Sequence, residues 1–302
     1  MYCTIEAFLD TQMSVSSYLS DVKQNYIDGV TGELFEQGNL EGLDIKEYSR
    51  GIKINGSLSK YFFGNNFETL TREQTKDAVQ RISDSLHLDV AEANLSRIDF
   101  ATNIIITEPP QNYYSFFGDS ARLNKSIQGS TLYISNKSRA IVFYDKCKEA
   151  KRRKMHIPDE FKNKNVLRYE YRLKRIKKKQ ITLEDLYSKE IYYWLIDEWL
   201  HSYQDIRRIP RLRIKKEIKE MKNLKAFEGY GWKLLIQQLG GIESFYCLLD
   251  DEVRRGTISK QNKCYYKKKF DKLFNSEDLF EPNTLINELN GKVKEAAERY
   301  RC

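Results

Sequence analysis

The stretch AIVFYDKCKE, Ala140–Glu149, decides how this chain is read. Four apolar-leaning residues, Ala140 to Phe143, run into Tyr144. Asp145, Lys146, Lys148 and Glu149 follow at once. A short apolar run of this kind reads as a buried strand. A buried strand rarely ends in so many ionisable groups without a reason. We read it as a strand presenting a tyrosine hydroxyl at its polar end.

Working outward, Ser130–Ser135 (STLYIS) precedes it across Asn136-Lys137-Ser138, so the two strands form a hairpin. Downstream, Asn165–Arg175 (NVLRYEYRLKR) alternates cleanly. Leu167, Tyr169, Tyr171 and Leu173 take the core side, and Arg168, Glu170, Arg172 and Lys174 take the other. Upstream, Leu95–Ile106 (LSRIDFATNIII) puts Ile98 and Phe100 on one face and Arg97, Asp99, Ala101 and Asn103 on the opposite one. Thr4–Thr11 and Tyr48–Leu58 read as further strands. Ile27–Leu43 reads as a hairpin or loop and Lys60–Asn66 as a turn. Gln111–Ser130 reads as a connection, and Lys148–Lys164 as a basic helix followed by a loop. Thr71–Leu86 has helical spacing with Thr71 as its cap.

From Thr182 the apolar period becomes helical. Leu183–Tyr203 reads as one long helix, and Arg213–Leu224, Gly229–Leu239, Gly241–Asp250, Ser259–Phe274 and Asn283–Arg301 follow as helices. The expected fold class is therefore α+β, an antiparallel-sheet domain over residues 1–195 and an all-helical region over 196–302. Ser259–Phe274 carries five lysines from Lys260 to Lys269. It reads either as the recognition helix of a helix-turn-helix, with Lys263 and Lys267 on DNA, or as a basic surface helix packing through Tyr265 and Phe270.

Composition narrows the classes. The 302 residues carry a net charge of +8, and that charge is concentrated. Residues 146–179 hold 15 Lys/Arg against 4 Asp/Glu, and residues 207–222 hold 8 against 2. Such clustering suits a phosphate-backbone footprint, and equally a solvated face. Five scattered cysteines without a CxxC pair suggest reduced thiols in a cytosolic protein. Three isolated histidines exclude a local zinc motif. We find neither a signal peptide nor an apolar run long enough for a membrane span.

Three strands each offer an ionisable face: Arg97 and Asp99; Tyr144, continuing to Lys146; and Arg168, Glu170 and Arg172. If they are neighbours, these faces form one polar surface. Asp99 and Glu170 supply hard oxygens suited to Mg²⁺ or Mn²⁺, with Glu149 as a third ligand or a helix N-terminal charge. Tyr144 would be the nucleophile on a phosphodiester, its high pKa lowered by the metal, Lys146 or an arginine. The residues alone leave a second reading open. Arg97 with Asp99, and Glu170 between Arg168 and Arg172, are also what structural ion pairs on a sheet look like. Tyr144 is also what an amphipathic core tyrosine looks like.

RIDFATN (Arg97–Asn103), IVFYDKCKE (Ile141–Glu149) and LRYEYRLKR (Leu167–Arg175), in this order, resemble the filamentous-phage gene II/X replication initiators and the Rep_trans-type plasmid initiators. INGSLSKYFFGNN (Ile54–Asn66) is similar to a further segment of the phage branch, and Gly231–Phe274 is more faintly similar to the phage C-terminal part. The resemblance implies a sheet nuclease domain of rolling-circle type in a bacterial cytoplasm. It implies a tyrosine endonuclease that nicks one origin strand, joins the 5′ phosphate and frees a 3′ hydroxyl primer. Its partners would be origin DNA and, from the host, a helicase or polymerase. By position in the blocks, Tyr144 is the nucleophile, Lys146 follows it, and Asp99, Glu170 and Glu149 are the acidic residues. Asn103 departs from the plasmid pattern, which has a second aspartate there. Tyr192 and Tyr193 lie on the following helix, as in two-tyrosine initiators. Arg97, Arg168, Arg172, Lys174, Arg175, Lys177 and Lys178 would hold DNA. Rival readings are a relaxase for plasmid or transposon mobilisation, a non-catalytic DNA-binding regulator, and an RNA binder stacking bases on tyrosines.

Overall fold

The computed structural model describes residues 2–118, 120–176, 181–209, 211–212, 224–239, 242–274, 280–281 and 283–301. They divide into two compact units. The first comprises residues 1–112, 120–205 and 289–302, and the second 113–119 and 206–288. The expected boundary at 195/196 falls inside a helix, and the terminal helix from Leu289 onward belongs to the first unit.

The first unit is built on one ten-stranded sheet in which every pairing is antiparallel. Its strands are β1 (Tyr2–Asp10), β2 (Ser20–Ile27), β3 (Leu34–Leu40), β4 (Leu43–Tyr48), β5 (Gly51–Ser57), β6 (Asn94–Ile106), β7 (Asn124–Gln128), β8 (Thr131–Ser135), β9 (Arg139–Asp145) and β10 (Asn165–Leu173). Their spatial order is β2-β3-β4-β5-β1-β6-β10-β9-β8-β7. The three strands carrying the charged motifs are therefore consecutive, β6-β10-β9. The α+β expectation and the hairpin around Asn136 are observed.

Four segments differ from the sequence reading. Gln111–Ser130 is not a plain connection, because it holds a short helix, Gln111–Tyr114, and strand β7. Residues 27–43 are neither a loop nor a lone hairpin but parts of β2, β3 and β4. Leu43 and Ile45 alternate inward while Asp44 and Lys46 alternate outward, a period-2 pattern hidden among acidic and glycine residues. Glu41 and Gly42, both at positive φ, close the tight β3–β4 turn. Lys60–Asn66 is not a simple turn, because α1 (Leu58–Phe63) occupies most of it. Ser57 caps its start and Gly64, at φ +74°, ends it. Leu183–Tyr203 is not one helix. A 3₁₀ turn, Glu184–Tyr187, comes first. Ser188 then caps a new helix by accepting from the Ile191 amide. Arg213–Leu224 lies outside the described residues except for Leu224.

Helices in chain order are α1, α2 (Arg72–Leu86), α3 (Gln111–Tyr114), α4 (Lys146–Arg152) and α5 (Lys189–Gln204). Thr71 and Gln74 form a capping box on α2. On one sheet face the core is aromatic. Phe143 stacks on Tyr169 at 4.9 Å and Tyr169 on Trp199 of α5 at 4.7 Å. Stacks of this kind contribute about 0.5–1.5 kcal/mol each beyond area burial. The terminal helix (Thr284–Arg301) is fixed on this unit by the Tyr300 hydroxyl, which donates to Thr102 Oγ1 at 2.9 Å. The opposite face is closed at one end by Phe67, Ala150, Phe161 and Val166. The charged motifs lie beside that plug. Among the described residues, no helix is long and apolar enough to cross a membrane.

In the second unit, helices Leu224–Gln238, Ile242–Arg254 and Lys260–Phe274 surround a core of Ile236, Phe245, Tyr246, Leu249 and Phe270, with Ile258 against it.

Candidate active site

Strand register assembles the site. Arg168 of β10 stands opposite Asn103 of β6 on one side and Tyr144 of β9 on the other. Glu170 stands opposite Ala101 and Val142, and Arg172 opposite Asp99 and Ala140. Alternation then places Tyr144, Arg168, Glu170, Arg172, Asp99, Asn103 and Arg97 on one face. Strand β9 ends in charge because Asp145 is the N-cap of α4, its carboxylate accepting from the Lys148 amide at 2.9 Å. Lys146 starts the helix, and its buried side chain turns inward.

Glu170 is the hub of the face. The Tyr144 hydroxyl donates to its Oε1 at 2.7 Å, and Arg168 Nε donates to the same oxygen at 2.8 Å. Arg172 donates to Oε2 through Nη2 at 2.6 Å and Nε at 3.0 Å. Asp99 accepts a bidentate pair from Arg97, at 2.9 and 2.7 Å, and its Oδ2 lies 3.7 Å from Arg172 Nε. Arg172 thus spans both acids. Three guanidiniums face two carboxylates, which leaves a formal excess of one positive charge. Such an excess favours an incoming phosphate.

The electrostatics follow from burial and these partners. Burial pushes the Glu170 carboxyl up. Arg168 and Arg172, with the hydrogen bonds from Arg168 and Tyr144, more than reverse this and leave its pKa at about 2. For Asp99 burial wins over Arg97 and Arg172, so its pKa is raised. Burial drives the Tyr144 phenol well above its ordinary range, and Glu170 adds to the rise against Arg168. The expectation that neighbouring cations lower the phenol is therefore corrected: desolvation and the adjacent carboxylate outweigh them. Lys146 is no help to the phenol either. Its Nζ donates to Asn66 Oδ1 at 2.7 Å and to Glu149 Oε2 at 2.8 Å. Burial, then Arg168, lower its pKa against the pull of Glu149.

Glu149 is held by Lys146 and by Arg153, at 2.6 Å. It does not join Asp99 and Glu170: among the described residues, no three His, Cys, Asp or Glu side chains gather as a metal cage. The expected three-acid set reduces to two. Mg²⁺ is commonly held by one or two carboxylates with phosphate oxygens and water completing its shell. Every oxygen of Asp99 and Glu170 is already engaged by Arg97, Arg168 or Arg172, so a divalent ion would have to displace a guanidinium to reach them. Asn103 is engaged otherwise, accepting from Arg168 Nη1 at 3.0 Å and donating to the Phe67 carbonyl at 2.7 Å.

The remaining residues divide. Lys174 and Arg175 are exposed just beyond β10, Lys174 with its Nζ 3.5 Å from the Asn136 carbonyl. Lys177 and Lys178 lie outside the described residues. In the second unit Lys263 pairs with Asp250, and Lys267 lies over the Tyr246 ring at 4.8 Å, so both are engaged with the preceding helix of their own unit. Tyr192 is buried against Tyr2, ring centroids 6.0 Å apart, on the sheet face opposite Asp99. Tyr193 donates to the Arg301 carbonyl at 3.2 Å. Neither belongs to the charged face.

Sequence reasoning missed Asn66. Its side chain accepts from Lys146 and its carbonyl accepts from Arg168 Nη1 at 2.9 Å, so it ties the start of α4 to β10. The Ile54–Asn66 block was the signal that pointed to it. No curated protein matches the chain. A family model for the N-terminal part of the phage gene II replication-associated protein matches residues 11–190.

Proposed function

The chain belongs to the family of phage gene II replication-associated proteins, of which it carries the N-terminal part, and on that basis we propose that it is an origin endonuclease that nicks one DNA strand through Tyr144 and later rejoins it. The observation that carries this reading is the Tyr144–Glu170 hydrogen bond inside a frame of three arginines.

In the proposed step the Tyr144 oxygen forms a bond to phosphorus. The bond from phosphorus to the 3′ oxygen breaks, and that oxygen leaves with its electron pair and takes a proton from water, whose hydroxide is neutralised when Glu170 gives up the phenol proton to solvent. The phenol proton passes to Glu170 Oε1, already its hydrogen-bond acceptor. Glu170 is a weak base while Arg168 and Arg172 hold it. A phosphate that engages Arg172 relieves that hold and raises its basicity as substrate binds. Arg97 and Arg172, the more exposed of the guanidiniums, are placed to receive non-bridging phosphate oxygens. The products are a 5′-phosphotyrosine and a 3′ hydroxyl, and the reverse reaction reseals the strand.

The Mg²⁺ or Mn²⁺ that the family implies would reach this face through Asp99, once Arg97 leaves that carboxylate for the phosphate. Bound there, the ion would polarise a phosphate oxygen and offset developing charge. The test uses supercoiled DNA carrying the element's own origin, incubated with Mg²⁺, with Mn²⁺ and with chelator. Nicking with metal and none with chelator is expected. Binding without nicking under every metal would favour a DNA-binding regulator whose charged face is structural. A relaxase for mobilisation uses the same chemistry, and a transfer assay in cells separates it.

A further inference from the structure

We propose that the second unit reads duplex DNA through the outward stripe of its basic helix, Gln261, Tyr265 and Lys268, with Lys260 and Lys269 beside it. The inference rests on reading the chain as an origin-binding protein, but not on Tyr144. It also reverses the assignment expected from sequence, because Lys263 and Lys267 are taken up by the preceding helix.

Local structure builds a helix–turn–helix from the sequence. Helix Ile242–Arg254 stops where Gly256 takes φ +75° and the Thr257 amide returns to the Glu252 carbonyl at 3.1 Å. Ile258 drops into the core, and Ser259 then caps the next helix, its Oγ accepting from the Asn262 amide at 3.1 Å. A glycine-containing turn between two helices packed on a third is the framework that presents a recognition helix.

Packing sorts the second helix into two faces. Phe270 is buried, ring centroids 4.8 Å from Phe245 and 5.4 Å from Trp232. Lys263 and Lys267 are tied to Asp250 and Tyr246 of the preceding helix. Gln261, Tyr265 and Lys268 follow at i, i+4 and i+7, so they form one stripe, and all three are exposed. Tyr265 is 61% exposed, with Lys269 Nζ 5.8 Å from its ring centre. Its ring also lies 5.8 Å from that of Tyr266, at an angle of 63°, so an aromatic pair stands beside the lysine.

Charge and chemistry identify the occupant. From Lys260 to Asp271 the helix has five lysines and one acid. Lysines suit phosphates, glutamine suits the N6/N7 edge of adenine, and the N-terminal residues of a recognition helix meet base edges. Gln261 and Tyr265 therefore read bases, and Lys268 and Lys269 hold the backbone.

The test uses the full chain and two probes, a duplex of mixed sequence about three helical turns long and a duplex pool with a randomised centre. Lys268→Ala/Lys269→Ala should weaken binding of the mixed duplex and lower the salt slope of log K by about 2, since each neutralised phosphate contributes about 0.9. Gln261→Ala and Tyr265→Ala should keep mixed-duplex affinity within about 2-fold. They should erase one or two positions of the motif that the wild type selects from the pool, a loss of about 10-fold in discrimination. Unchanged melting curves identify folded variants. An unaltered salt slope together with an unaltered motif overturns the proposal, as does equal competition by duplex RNA, whose major groove is too narrow for a helix. Tyr144→Phe should leave all these binding readings unchanged, so the two proposals fail separately.

Discussion

Two tyrosines on neighbouring strands show what surroundings do to one side chain. Tyr169 of β10 points into the aromatic face, stacked between Phe143 and Trp199, and its hydroxyl donates to the Trp199 carbonyl at 2.7 Å. Tyr144 of β9 points to the other face, where its hydroxyl meets Glu170 among arginines. Both phenols are hydrogen-bonded. Only one is bonded to a group that can take its proton beside cations that can hold a phosphate. The sheet separates a phenol packed among aromatic rings from one set among charged groups by the direction of a single side chain.

Breaking the reactive side should give the largest effect. Tyr144→Phe is expected to abolish covalent capture of origin DNA while binding stays nearly intact, as read by gel retention under denaturing and native conditions. Glu170→Gln comes next. Loss of the proton acceptor should slow nicking by about 10²–10⁴-fold. It also leaves Arg168 buried without its carboxylate, which costs on the order of 3–5 kcal/mol in denaturant unfolding. The same carboxylate sets an acid limit. Its folded pKa of about 2 lies below the ordinary 4.5, so its stabilisation is complete above pH 4.5. That stabilisation is lost as pH falls from 4.5 toward 2. Melting curves across that window should show the loss in wild type and a shallower one in Glu170→Gln.

Asn66→Ala sharpens the comparison more mildly. It removes the acceptor for the buried Lys146 ammonium while leaving the backbone carbonyl that holds Arg168. A loss of about 1–3 kcal/mol is expected from the unsatisfied donor, with nicking reduced less than in Glu170→Gln. Single-turnover rates and melting measured together separate the two effects. The smallest changes belong to the aromatic face. Tyr169→Phe should cost about 1–2 kcal/mol with adduct yield unchanged, and Tyr192→Phe should likewise leave the yield where it was.

The alternation of LRYEYRLKR and RIDFATN made both faces of the central strands readable, because period 2 fixes direction once a strand is granted. The N-terminal meander was not readable in the same way. In β4 the inward residues Leu43 and Ile45 are interleaved with Asp44, Lys46 and Glu47, and the acidic and glycine residues before them mask the alternation. The site's residues were legible but their contacts were not. Nothing in the sequence says that Lys146 turns to Asn66 and Glu149 instead of to Tyr144, since that depends on where the Gly64–Phe67 segment returns to the sheet. The capture of Lys263 and Lys267 by the neighbouring helix was hidden for the same reason. Their helix fixes a stripe, but only the position of Phe270 in the core says which stripe faces out.

The most direct measurement is mass spectrometry of the peptide that retains DNA after incubation with the origin and Mg²⁺ or Mn²⁺. A 5′-phosphonucleotide on the peptide containing Tyr144, absent in Tyr144→Phe, is the predicted result. An adduct on Tyr192 or Tyr193, or one that survives in Tyr144→Phe, would contradict it.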